Sequence, residues 1–185
     1  MWPHTVAILI GGQSKRMGSP KHLFELPNGS TMLDMMLQFA SSVGKQTVIL
    51  GGEVDDQRCI FDLRKQHGPV GGVEALLHSG IDTNYLVVGC DMPKLTRQDV
   101  RPLLECDGNA AFSFNDRLFG LPLQINSDEL SSCSAYLDSG GRSIRGFVSE
   151  IPHIAIPLDK TGSDTFLSIN SPNDLNKLSF EHGSA

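Results

Sequence analysis

Arg16, Lys21 and Asp91 are the side chains of this chain best placed by their neighbours to handle a phosphate anion. Arg16 and Lys21 fall in Gly11-Gly12-Gln13-Ser14-Lys15-Arg16-Met17-Gly18-Ser19-Pro20-Lys21, directly after the apolar run Val6-Ala7-Ile8-Leu9-Ile10. Gly11, Gly12 and Gly18 let the backbone come close to a ligand and turn N–H groups toward it. Main-chain donors combined with two fixed positive charges suit a polyphosphate. The spacing matches neither G-x-G-x-x-G nor G-x-x-x-x-G-K-[ST], so neither the dinucleotide nor the P-loop arrangement is implied. A glycine-rich surface turn is the plain alternative, and the paired cations weigh against it.

Asp91 follows Leu86-Val87-Val88-Gly89-Cys90, and Met92-Pro93 stops the run at once. A carboxylate therefore stands at the C-terminal end of a strand, the edge where open α/β sheets bind ligands. Such a group suits Mg²⁺, which prefers oxygen ligands and bridges to nucleotide phosphates. An aspartate that merely caps the turn is the alternative. His22, His67, His78 and His153 are scattered, and none pairs with a Ser or Cys in a nucleophilic arrangement.

Positioning these groups needs a frame, and the hydrophobic pattern supplies one. Strands are expected at Val6–Ile10, Thr47–Leu50, Tyr85–Cys90, Ala110–Phe114, Leu121–Ile125, His153–Ile156 and Leu167–Ile169. Several are continuous apolar runs, as in parallel sheets covered on both faces. Met32, Leu33, Met36, Leu37, Phe39, Ala40 and Val43 keep helical spacing, and Thr31 with Asp34 forms a capping box before them. Thr96 with Asp99 repeats that signal, and Ser171-Pro172-Asn173-Asp174 opens a final helix. Strand–helix alternation predicts one α/β domain over residues 1–185: three α/β/α layers, Rossmann-like and doubly wound, with a mostly parallel sheet. The stretch from Ile10 to Thr31 is too long for an ordinary βα loop. Its cations, the Leu23–Leu26 extension and the Pro27-Asn28-Gly29 turn predict a lid over a triphosphate, with a surface hairpin as the alternative.

Leu9-Ile10-Gly11-Gly12 with Ser14, Arg16-Met17-Gly18 and Lys21 resembles the L-A-G-G-x-S-x-R-M-G-x-x-K signature of nucleotidylyltransferases. Gly68-Pro69-Val70-Gly71-Gly72 resembles that superfamily's G-P-L-x-G, and Cys90-Asp91-Met92-Pro93 its C-D-M-P. Ser168-Ile169-Asn170-Ser171-Pro172-Asn173-Asp174-Leu175 is similar to its N-I-N-T-P-E-D-L. Within the superfamily the chain most resembles the molybdenum cofactor guanylyltransferase family, which joins GMP to molybdopterin.

That resemblance implies a nucleotidyltransferase fold whose N-terminal half binds GTP and whose C-terminal half binds the acceptor. It implies nucleotide contacts at Leu9, Ile10, Gly11, Gly12, Gly18, Lys21, Asp62, Gly71 and Asp91, with Asp91 holding Mg²⁺ (or Mn²⁺). It implies catalytic roles for Arg16, Lys21 and Asp91: charge neutralisation on pyrophosphate leaving from the α-phosphorus, with no strong general base. Arg142 and Arg145 in the basic turn Gly140–Arg145, together with Asn170, are candidates for the acceptor's phosphate, with solvated surface arginines and a plain turn residue as alternatives. Asp62 as a solvated loop acid is likewise open. Three positions depart from the family pattern: Ile10, Gly51-Gly52 where the guanylyl branch carries an Asn, and Ser168 in place of another Asn.

Composition bounds the rest. A formal charge of −6 and a pI of about 5.4 weigh against a nucleic-acid or anionic-membrane surface. Cys59, Cys90, Cys106 and Cys133 lack metal-site spacing and read as reduced thiols, consistent with a cytoplasmic compartment. No apolar run reaches membrane-spanning length. Cytidylyl transfer to molybdopterin, guanylyl transfer to another phosphorylated acceptor such as phospholactate, and a non-catalytic nucleotide-binding cofactor chaperone are the alternatives. Partner proteins from cofactor assembly or molybdoenzyme maturation fit each of them.

Overall fold

The computed structural model describes residues 2–10, 20–26, 28–159 and Phe166, with the backbone alone for Lys21. The expected strand over Leu167–Ile169 and the helix opened by Ser171 lie outside the described residues.

Seven strands form one sheet in the order β3-β2-β1-β4-β6-β5-β7. They are β1 (Thr5–Leu9), β2 (Gln46–Leu50), β3 (Cys59–Ile60), β4 (Asn84–Gly89), β5 (Ala110–Phe114), β6 (Arg117–Asn126) and β7 (Ile154–Pro157). Every described pairing is parallel except those of β6, which runs antiparallel to both β4 and β5. Among the described residues five α-helices join them: α1 (Met32–Val43), α2 (Gly68–His78), α3 (Arg97–Leu104), α4 (Leu130–Asp138) and α5 (Ile144–Glu150). The mostly parallel α/β architecture expected from the sequence is the one found.

Side-chain alternation along the central strands divides the interior into two cores. Val6, Ile8 and Ile10 of the first strand and its end join Leu86, Val88 and Cys90 under α1 and α3. Ala7 and Leu9 face the other way with Tyr85 and Val87, under α2, α4 and α5. Three layers follow directly from this period of two. Phe166 belongs to the first core, stacked on Phe112 with ring centroids 4.6 Å apart.

Two strand expectations need correcting. β3, of two residues, is too short for any hydrophobic period to show. β6 extends from Arg117, well before the expected Leu121, because Asn115 and Asp116 both adopt positive φ and turn β5 tightly back on itself. Gly68-Pro69-Val70-Gly71-Gly72, quoted above only as a motif, is the first turn and a half of α2, with proline in that turn where no N–H is needed.

The capping boxes at Thr31 and Thr96 are both present. The described part of the long connection before α1 holds a short 3-10 turn at Lys21–Leu23 and a bridge between Glu25 and Thr31. Leu26 N–H donates to Ser30 O at 2.8 Å, and the buried side chains of Leu26 and Met32 pack together. This half is the surface hairpin that the sequence left open. The cationic half assigned to a lid lies outside the described residues. Among the described residues no helix is long and apolar enough to cross a membrane.

Thr31 holds both ends of its box, with its hydroxyl accepting from Asp34 N–H and its own N–H donating to the Asp34 carboxylate at 2.8 Å. Thr31→Ala is expected to cost about 1 kcal/mol, read as a lower urea midpoint with an unchanged slope.

Candidate functional site

The chain moves outward from β1 through β2 to β3, then crosses back through α2 to β4 on the other side of β1. The β1–β4 boundary is thus a switch point, and the crevice beyond its carboxyl ends is where such sheets hold ligands. Leu9 pairs with Gly89, and one step further Cys90 N–H donates to Leu9 O at 3.0 Å. That bond brings Ile10 level with Cys90, so Asp91 stands one residue beyond it at the rim.

Asp91 is half-buried between two fixed points. Before it comes the paired strand. After it, Met92 is 2% exposed and its carbonyl accepts from Leu95 N–H at 3.0 Å, leading into the Thr96 cap. A Cβ built on Gly89 would lie 2.6 Å from Asp91 Oδ1. The carboxylate therefore lies back over a bare α-carbon, and any larger residue at 89 would push it aside.

Asp62 comes to the same edge from the loop between β3 and α2. Its Oδ2 lies 3.7 Å from a Cβ position on Gly71, and its Oδ1 3.5 Å from one on Gly72. Leu9 Cδ2 lies 3.1 Å from that Gly72 position. The residue as a whole is exposed, but its carboxylate rests on the opening of α2 beside the end of β1. Partial burial pushes the Asp62 carboxyl above its ordinary range, and the charge on His67 pulls it part of the way back. Asp62 thus rests against Gly71 and Gly72 beside Leu9, while Ile10 and Asp91 stand at the ends of the adjoining strands β1 and β4. Gly11, Gly12, Arg16, Gly18 and Asn170 lie outside the described residues, as does the side chain of Lys21.

The C-terminal half adds a second concavity at this edge. Because β5 runs parallel to β4, its end at Phe114 and the Asn115-Asp116 turn face the same way as Asp91. There Phe114, Phe119, Ser143, Arg117 and Arg145 line an open cleft of about 470 Å³. Arg145 lines this cleft, whereas the Arg142 guanidinium donates to Leu137 O at 2.8 Å and Gly141 O at 2.5 Å, closing the end of α4. Arg117 reaches the cleft because Asn115-Asp116, a dipeptide suited to a tight hairpin, returns the next residue to this edge.

Among the described residues no group of three or more His, Cys, Asp or Glu is arranged to hold a metal. A single rim carboxylate is nonetheless the donor set Mg²⁺ uses when substrate phosphates complete its shell, so Asp91 fits the ion. No disulfide joins Cys59, Cys90, Cys106 and Cys133, and burial pushes the Cys133 thiol up to about 12, which keeps it protonated.

A family model described as the MobA-like NTP transferase domain matches residues 6–153. This chain belongs to that family. A molybdenum cofactor guanylyltransferase of Xanthomonas euvesicatoria pv. vesicatoria is 26% identical over 184 residues, covering 97% of this chain and 96% of that protein. The crystal structure of molybdopterin-guanine dinucleotide biosynthesis protein A from Archaeoglobus fulgidus superposes with a TM-score of 0.76 at 22% identity, covering 94% of this chain and 95% of that one. A 2-C-methyl-D-erythritol 4-phosphate cytidylyltransferase from Thermus thermophilus superposes with a TM-score of 0.69 at 15% identity, covering 95% and 96%. These structures share the fold.

Asp62 offers a direct check on the site's electrostatics. Its carboxyl ¹³C resonance is expected to titrate above the ordinary aspartate range, and His67→Ala to raise the midpoint further by removing the neighbouring charge. A midpoint at or below that of a free aspartate overturns the burial described here.

Proposed function

We propose that this chain transfers GMP from GTP to the terminal phosphate of molybdopterin, forming the guanine dinucleotide and releasing pyrophosphate. The observation that carries the reading is the shared rim: Asp91 and Asp62 flank the β1–β4 crevice, and an arginine-lined cleft opens at the same edge. The names of the relatives support the choice of nucleotide and acceptor.

GTP lies across the crevice with its base toward Leu9 and Ile10. A terminal phosphate oxygen of the acceptor attacks the α-phosphorus, and the bond to the β-phosphate oxygen breaks in line. Asp91 would hold Mg²⁺, which when bound would supply charge neutralisation to the nucleotide's phosphates. Arg16, Lys21 and the main-chain N–H groups of the glycine loop offset charge on the departing pyrophosphate. An acceptor that is already anionic needs no proton removed, so the protein's work is alignment and charge. Arg117 and Arg145 receive the acceptor's phosphate, and Phe114 and Phe119 offer flat apolar surface to its ring system.

Pyrophosphate release with molybdopterin and each of the four nucleoside triphosphates tests this, GTP being the expected donor. Faster turnover with CTP, or none with any of the four, overturns it. Asp91→Asn is expected to lower kcat by about two orders of magnitude or more while the fold persists, the scale of losing one preorganised electrostatic group. Lys21→Ala should lower kcat and kcat/KM together. Arg117→Ala and Arg145→Ala should instead raise KM for the acceptor and leave KM for GTP unchanged; a rise in KM for GTP overturns the assignment of the cleft.

A further inference from the structure

Glu74 is 2% exposed on α2, within the second core, where a lone carboxylate is costly to bury. Its Oε1 pairs with an Arg64 guanidinium nitrogen at 2.9 Å and accepts from Ser134 Oγ at 2.8 Å, while Oε2 is buried with no protein partner. The other terminal nitrogen of Arg64 donates to Asp138 at the end of α4. One guanidinium thus ties the loop after β3 to two helices. Arg64 stands two residues beyond Asp62, and its carbonyl lies 3.9 Å from a Cβ position on Gly71, the glycine over which Asp62 rests.

The segment that Arg64 holds is otherwise poorly anchored. Phe61 and Leu63, on either side of Asp62, are 60% and 56% exposed and contribute little packing. Gln66 has a positive φ, so the backbone turns sharply before α2 begins. Fixing Asp62 on the α2 opening therefore falls to the side chain of Arg64.

We propose that Arg64, seated by buried Glu74 and by Asp138, is a positioning residue that holds the Asp62 carboxylate in place for the nucleotide. The inference rests on the reading of Asp62 as a nucleotide contact. It assigns the burial of Glu74 a purpose: a charge in the core selects a guanidinium and no other partner from the loop. The clamp also joins α4, whose end leads through the Ser143 cap to Arg145 in the first turn of α5, to the loop carrying Asp62.

Removing Arg64 alone strands Glu74, so the test removes both charges with Arg64→Ala/Glu74→Met. GTP binding in the presence of Mg²⁺ is measured by calorimetry on this variant, on the wild-type protein, and with Asp62→Asn added to each. The double variant is expected to remain folded and to bind GTP about tenfold more weakly, the factor given by coupling of the size usual between interacting residues. Asp62→Asn should weaken the wild-type protein and add nothing further in the double variant. Wild-type affinity in the folded double variant, or additive losses, overturns the clamp and leaves the proposed function standing. No GTP binding by the wild-type protein overturns both. Arg64→Lys keeps the charge opposite Glu74 but loses the two-armed geometry, and decides the matter if the double variant does not fold. It should raise KM for GTP with kcat nearly unchanged, whereas a purely structural role lowers the active fraction and leaves KM alone.

Discussion

The hydrogen bond from Cys90 N–H to Leu9 O, at 3.0 Å, is the contact on which the arrangement of the rim depends. It continues the parallel register of β1 and β4 one step past the last paired residues, Leu9 and Gly89. Both chains then leave the sheet at the same level, one into the glycine loop and the other into Asp91. A slip of one residue would carry Asp91 about 3.3 Å along the strand. It would also turn every apolar side chain of β4 to the wrong core. The fit of Leu86 and Val88 in one core and Tyr85 and Val87 in the other therefore fixes where Asp91 stands at the rim. Core packing and alignment at the rim are one constraint here.

The two rim acids are seated in the same way and secured differently. Each carboxylate rests where a side chain is missing, Asp91 over Gly89 and Asp62 over Gly71 and Gly72. Asp91 follows directly from a buried strand and precedes the tightly bonded Met92–Leu95 turn, so the main chain is fixed on both sides of it. Asp62 follows the two-residue edge strand β3 and sits among exposed neighbours, so the main chain gives it little guidance. A buried ion pair supplies what backbone pairing does not. Such a pair contributes little net stability against an apolar replacement, which makes its location beside a rim acid informative.

The sequence made legible whatever is encoded within a few neighbouring residues. Thr31 with Asp34 and Thr96 with Asp99 cap their helices as read, because a capping box needs only its own first turn. The central strands were equally plain, being apolar runs buried on both faces. Features set by distant contacts were not. The antiparallel insertion of β6 between β4 and β5 depends on pairings across the sheet that no local period records. Arg142 and Arg145 look alike in a basic turn, yet one closes the end of α4 and the other faces the cleft. Asp62 read as a solvated acid as readily as a ligand contact, since its seat on Gly71 and Gly72 is made by the fold. Glu74 carried no signal at all: an acid in a helix is usually solvated, and only its partner Arg64 from outside the helix reveals otherwise.

The departures at Ile10 and Gly52 become a single feature once their separation is known. A Cβ on Gly52 would lie 2.8 Å from Ile10 Cδ1 and 3.2 Å from its Cγ1. Ile10 thus fills the space a side chain at 52 would need, and each residue explains the other. The family's pattern has a small residue at the first position and an amide near the second, so volume has moved from β2's end to β1's. Ile10 is 6% exposed and belongs to the first core, so the exchange is set by packing inside that core rather than by surface chemistry.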